Sequence, residues 1–241
     1  MKNKYFVLFG LCLFLTGCAT TIQKSSSFDE SIPKIHTIAV LPVDVEVYRL
    51  TAGGVRELMD QWSDEAKKLI QDSLQKNFAK QYGFDMKFVE EDWLKTNHRD
   101  LWYQNRALYN TVAVSAMAHS YPGDNAFKTK IKNFDYTLGS DVGELAAYCS
   151  SDALLFIYGF DHEATAGRQV VAFWNLALSV AIGTPMLTPN PTLLVIGLVD
   201  AKTGDLLWFK TTPQSSEYNY RNPKEMDNLI KWFAKDFLTK K

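Results

Sequence analysis

The apolar residues of this chain recur in patterns that each predict a different element. Short unbroken runs predict strands buried on both faces. The first is His36-Thr37-Ile38-Ala39-Val40-Leu41-Pro42, closed by a proline that cannot donate to a ladder. Others lie at 84–89 and 153–159, with a pair at 192–199 and 206–211. That pair flanks Asp200-Ala201-Lys202-Thr203-Gly204-Asp205, where Gly204 can take the positive φ of a tight hairpin. Steps of three and four predict helices. Val55, Leu58, Met59, Trp62, Ala66, Leu69, Ile70, Leu74 and Phe78 define one face of a long helix stopped by Gly83. Met226, Leu229, Ile230, Phe233 and Phe237 do the same for a last helix opened by Asn222-Pro223, a cap and a first-turn proline. The aromatic-rich stretch 90–139, broken at Pro122-Gly123-Asp124-Asn125, is expected to hold a helix over 105–119. A short helix over 141–150 should open on the capping box Asp141-Val142-Gly143-Glu144. Helices between strands, then a late hairpin, predict an α/β fold: a mixed β-sheet flanked by helices, in one domain over 35–241.

Two apolar stretches stand outside that scheme. Lys2 and Lys4 precede an apolar run over 5–15 that leads into Leu15-Thr16-Gly17-Cys18, the layout of an export signal too short to span a bilayer. The Leu-Thr-Gly-Cys order resembles the bacterial lipobox, in which the cysteine is acylated before the preceding peptide is cut away. Residues 1–17 are thus expected to leave as a lipoprotein signal peptide, and Cys18 to carry the lipid. Several acyl chains at about 0.8 kcal/mol per buried CH₂ hold a protein to a membrane permanently. Ala19 follows, and by resemblance to enterobacterial sorting, where Asp at that position retains a lipoprotein at the inner membrane, it favours the outer membrane, facing the periplasm. Residues 18–34 are polar and contain three consecutive serines, so they are expected to be a flexible tether. The sixteen residues 19–34 have a root-mean-square reach of about 20–24 Å.

The second stretch is 169–187, in which 170–182 is apolar all round except for Asn175 and Ser179. A helix of that kind is deeply buried or meets lipid or a partner. Its thirteen residues would span about 20 Å as helix, short of a bilayer. Loop chemistry on both sides (Gly167-Arg168 and Thr188-Pro189-Asn190-Pro191) makes it an apolar helical insertion before the last hairpin. Phe173, Trp174, Leu176, Leu178 and Ile182 are therefore candidate interface residues.

Composition narrows the chemistry. The formal net charge of −1, more negative by two once Lys2 and Lys4 leave, provides no electrostatic footprint for nucleic acid. Of the three cysteines, Cys12 lies in the signal and Cys18 takes the lipid, leaving Cys149 without an intrachain partner, so the fold rests on its core.

Three segments carry a family resemblance: the Ile38-Ala39-Val40-Leu41-Pro42 strand, the Ser151-Asp152-Ala153 run leading into a strand that ends at Gly159, and the hairpin from Val199 to Trp208. Together they resemble the superfamily of bacterial envelope lipoproteins that includes CsgG, LpoB and the N-terminal domain of TolB. The resemblance covers about half of the mature chain, implies a scaffold and carries no catalytic residues over. It implies a non-enzymatic binding or scaffolding lipoprotein acting in cell-envelope assembly through a protein partner or self-association. Two alternatives stand beside it: a subunit of an oligomeric outer-membrane secretion complex, and an envelope enzyme. The first needs membrane-crossing strands of alternating polarity, and no convincing segment of that length is present.

Motifs suggestive of catalysis do not assemble. His98-Arg99-Asp100-Leu101-Trp102-Tyr103-Gln104-Asn105 matches the kinase catalytic-loop pattern, but no glycine-rich loop, strand lysine or D-F-G accompanies it in order. Ser73-Leu74-Gln75-Lys76 fits S-x-x-K without its companion motifs. Asp161-His162-Glu163, just past a predicted strand, reads as a solvated loop, because neighbours on extended chain point to opposite faces and cannot converge without a bend. His36, His98 and His119 are isolated, and Thr51-Ala52-Gly53-Gly54 reads as a plain loop. No metal, cofactor or catalytic residue is expected.

Overall fold

Pro42 interrupts the first core strand without ending its course along the sheet. The structure, a computed structural model, describes residues 22–51, 53–121, 125–165, 192–212, 218–235 and 237–238. Strand β2 (Thr37–Val40) lies parallel to the first part of β6 (Ala153–Ala164), with Ile38 opposite Ala153 and Val40 opposite Leu155. After residues 41–43 the chain resumes as β3 (Asp44–Leu50), parallel to the second part of β6, with Asp44 opposite Tyr158. Three residues separate Val40 from Asp44, whereas two separate Leu155 from Tyr158, so the first strand carries one extra residue. Such a bulge reverses which side chains face which side. Ile38 and Val40 before it, and Val45 and Val47 after it, all join one core, leaving Asp44, Glu46 and Tyr48 on the other face.

Eight strands form a mixed sheet among the described residues, in the order β1-β8-β7-β6-β2-β5, with β3 paired to β6. Their ranges are β1 Ile22–Lys24, β4 Arg56–Leu58, β5 Asp85–Phe88, β7 Leu193–Asp200 and β8 Leu206–Thr211. One face packs α1 (Phe28–Ser31), α2 (Asp60–Leu74) and α7 (Pro223–Lys235) over Ile38, Val45, Leu155, Ile196 and Trp208. The other packs α3 (Glu91–Asn97), α4 (Arg99–His119) and α6 (Val142–Tyr148) over Ala39, Leu154, Phe156, Val195 and Phe209. The expected α/β arrangement of a mixed sheet flanked by helices is therefore present.

Several boundaries differ from expectation. Residues 22–34 belong to the domain. Strand β1 pairs antiparallel with β8, Ile22 opposite Lys210, and Phe28 is buried against Phe237 at 5.5 Å between ring centroids. A polar composition had masked the two apolar side chains, Ile22 and Phe28, that dock this stretch. The long helix begins at Asp60, because 56–58 form β4 in a hairpin with β3, and Val55 and Leu58, placed on its apolar face by spacing, are exposed. Thr51 and Gly54 belong to that hairpin's turn, Gly54 with φ of 83°. A π-turn at Gln75–Ala79 continues α2 and buries Asn77, Phe78 and Ala79 in succession. Asn77 donates to Ser73 O and to Asp227 of α7, and that inserted side chain accounts for the widened turn. Gly83 ends the helix with φ of 74°, as its position implies.

Helix α4 starts six residues earlier than expected, and α6 forms without the Asp141 cap bond. At α7 the cap is complete: Asn222 Oδ1 accepts from the amides of Lys224 and Glu225, and Asn222 Nδ2 donates to Glu225 Oε1. Buried Lys210 donates from Nζ to the carbonyls of Trp232 and Phe233, where α7 runs out of intrahelical donors. The hairpin after β7 turns at Gly204 with φ of 76°. Helix α5 (Lys128–Lys132) lies outside the sheet layers.

Glycine is required where β6 meets β7. A Cβ on Gly159 would lie 2.2 Å from the Leu193 carbonyl oxygen, a backbone atom that cannot move without parting the strands. Gly159→Ala should therefore destabilise the domain by about 2–3 kcal/mol, read as a lower midpoint in thermal unfolding followed by circular dichroism.

Candidate functional site

Because of the bulge, the cross-strand pairs Asp44–Tyr158, Glu46–Phe160 and Tyr48–His162 floor one cleft of about 280 Å³. Arg56 of β4 and Arg106 and Asn110 of α4 complete its lining. The Arg106 guanidinium grips Asp44 with both arms, Nε to Oδ2 at 2.7 Å and Nη2 to Oδ1 at 2.5 Å, the fork geometry that fixes two side chains at once. Tyr48 donates its hydroxyl to Glu46, and that bond, helped by burial, pushes the phenol up to about 12. Burial and the carboxylates of Asp44 and Glu46 also raise Tyr158. His162 sits between aromatic rings, 5.3 Å from Tyr48 and 4.9 Å from Phe160. Asp44 and Glu46 accept these bonds, and both phenols keep their protons to higher pH than an ordinary tyrosine.

The Asp161-His162-Glu163 triplet is not a solvated loop. Strand β6 continues through it, and alternation sends His162 into the cleft while Asp161 and Glu163 point to the opposite face. Asp161 is 1% exposed and accepts the Tyr220 amide at 2.9 Å. Burial, with a contribution from Glu163, raises its carboxyl to about 7. Glu163 receives both arms of Arg221 at 2.7 and 2.8 Å, and Arg221 lies 3.9 Å above the Trp62 ring and 3.5 Å from Glu65. This cluster fastens the segment before α7 to β6 and α2. Asp161 lies buried within it, while Arg221 and Glu65 reach the surface. Among the described residues no group of His, Cys, Asp and Glu could hold a metal ion.

The kinase-like run is helix. His98 joins α3 to α4 and stacks on Tyr148 at 3.7 Å, Trp102 and Asn105 are buried, and Arg99 lies over Tyr103. Ser73 precedes the π-turn by two residues and Lys76 lies within it, paired with Asp227. Asp152, quoted within the strand-entering run, accepts the amides of His36 and Thr37 at 2.9 Å and those bonds lower its proton affinity, a structural tie between β2 and β6. Cys149 is buried and burial pushes its thiol up to about 11. Cys18 and the candidate interface residues Phe173, Trp174, Leu176, Leu178 and Ile182 lie outside the described residues, as does the apolar insertion as a whole.

No family model matches the chain, and no curated protein matches it. Among solved structures it is similar to the PelC dodecamer from Paraburkholderia phytofirmans, at TM-score 0.37 and 10% identity, over 92% of this chain and 99% of that one. It is also similar to the LpoB C-terminal domain from Salmonella enterica, at TM-score 0.27 and 10% identity, over 77% and 93% of the two chains.

Sequence reasoning missed the cleft and also an outward face of α4. From residue 107 to residue 118 (ALYNTVAVSAMA) that helix carries no charge. Tyr109, Ala113 and Ala116 turn inward, while Leu108 and Val114 are 40% and 56% exposed. The absence of charge over three helical turns was a visible signal. It was outweighed by the stronger apolar run at 170–182.

Proposed function

We propose that this chain is a lipid-anchored envelope protein, held at the outer membrane and facing the periplasm, that acts non-enzymatically by binding a protein partner in envelope assembly. Leu15-Thr16-Gly17-Cys18 at the end of an apolar run supports the address. Among the described residues no helix is long and apolar enough to cross a membrane. The observation that carries the binding reading is the uncharged outward face of α4, where Leu108 and Val114 stand in solvent beside the cleft that Arg106 and Asn110 of the same helix line. The candidate interface Phe173, Trp174, Leu176, Leu178 and Ile182 belongs to the same proposal, as a second contact surface. A second copy of the chain is a partner of the same kind.

The test places a photo-crosslinking amino acid at Val114 and, separately, at Leu178 of the full chain in living cells, with mass spectrometry of the products. A discrete protein adduct from either position, lost on Cys18→Ser because the domain leaves the membrane, is the expected result. Adducts absent from both positions, or a mature chain that retains Met1 and no lipid, would overturn the reading.

A further inference from the structure

We propose that the domain rests on the membrane by the β1 edge of its sheet, with Phe127, Lys128 and Lys132 as the surface that contacts anionic phospholipid headgroups. The inference rests on the lipidation of Cys18. Four residue steps lead from Cys18 to Ile22, where the chain is already paired with β8. Fully extended, four steps reach at most about 14 Å. That is shorter than the reach of a free tether over 19–34, so whatever flanks β1 is brought to the headgroups.

The flank is built from the segment around α5. Gln23 of β1 donates to the Ser120 carbonyl at 2.7 Å, His119 stacks on Phe127 at 4.2 Å, and the Phe127 amide donates back to the His119 carbonyl. Lys132, Asn133 and Phe134 share one cavity with Lys24, Ser25 and Phe28. Phe127 is 53% exposed despite its size, and Lys128 and Lys132 are exposed on the same short helix. Of the nearby acids, Asp135 is taken by Lys130 at 2.6 Å and Asp29 lines the shared cavity. An exposed aromatic ring beside lysines that have no acidic partner among the described residues matches an interface where the ring enters the acyl boundary and the amines meet phosphate.

The experiment uses the full lipidated chain reconstituted in vesicles of phosphatidylethanolamine and phosphatidylglycerol whose acyl chains are brominated. A fluorophore is attached by maleimide to Phe127→Cys, to Lys132→Cys or to Asp64→Cys. Buried Cys149, its thiol pushed up to about 11, reacts slowly. The control lies at the start of α2, tied to β3 at the other end of the sheet by the Val47 amide on Ser63. Labels at 127 and 132 should be quenched severalfold more strongly than the label at 64, and Lys128→Glu should weaken the quenching at 127. Flotation of the labelled chain with the vesicles together with equal quenching at all three positions would overturn the docking surface and leave the anchor intact. Failure of the unlabelled chain to float, or equal flotation of Cys18→Ser, would overturn the anchor and the surface with it.

Discussion

Replacing Asp161 with asparagine should stabilise the domain above pH 7 and leave it unchanged near pH 3. The carboxyl is buried on the inner face of β6 and holds its proton up to about 7, against an ordinary value of 3.8. Below the ordinary value, folded and unfolded chains both carry the proton and the group costs nothing. Between the two values the unfolded chain releases a proton that the folded chain keeps, so stability falls as pH rises. Above about 7 the folded domain carries the whole cost of a buried charge. At about 1.4 kcal/mol for each tenfold change in proton affinity, that cost is on the order of 4 kcal/mol. An asparagine Oδ1 still accepts the Tyr220 amide without ionising. Thermal midpoints at pH 3 and pH 8 should show the variant level with the parent at the first and higher by roughly 8–16 °C at the second. A variant less stable at both would mean that the carboxylate is needed by its neighbours and that Arg221 is shared between Asp161 and Glu163.

The second large effect lies in the N-terminal segment. Phe28→Ala should cost about 3–4 kcal/mol, the range for removing a large aromatic side chain from a core. Phe28 is 2% exposed and packs edge-on to Phe237, which itself contacts Phe78, Tyr82, Phe84 and Trp208. Losing it removes one member of that aromatic cluster and loosens β1 from β8, exposing a sheet edge. Denaturant unfolding measures the cost directly. A midpoint unchanged from the parent would return residues 22–34 to the status of a tether and would withdraw the short leash on which the membrane-facing edge depends.

The elements legible in the sequence were those specified locally. Ile38 to Val40, Ala153 to Gly159 and the hairpin at Gly204 announce themselves by apolar runs and one glycine, and α7 by its spacing and its Asn222 cap. What stayed hidden depended on distant partners. Val55 and Leu58 fit a helical face, yet a hairpin claims them. Charges at Asp161 and Glu163 made the far half of β6 look like loop, because their partners Tyr220 and Arg221 lie nearly sixty residues away. The cleft had its own signal in Asp44-Val45-Glu46-Val47-Tyr48, strict alternation of polar and apolar residues, which is the period of a strand with one open face. Its partners on β6 and α4 could be supplied by the fold alone.

The three residues between β2 and β3 look like an ordinary connection, the kind of surface link in which insertions and deletions usually pass unnoticed. Here they act as a parity switch. Were all three to pair one for one with β6, Asp44 would fall opposite Gly159 with Val45 and Val47 turned to the cleft, while Asp44, Glu46 and Tyr48 would be driven beneath α2, two carboxylates among aliphatic side chains with Arg106 left on the wrong side of the sheet. A relative one residue shorter there would join the two strands without a bulge and keep the cleft, so what has to persist is the register of Asp44 on Tyr158 and not the number of residues that lead to it.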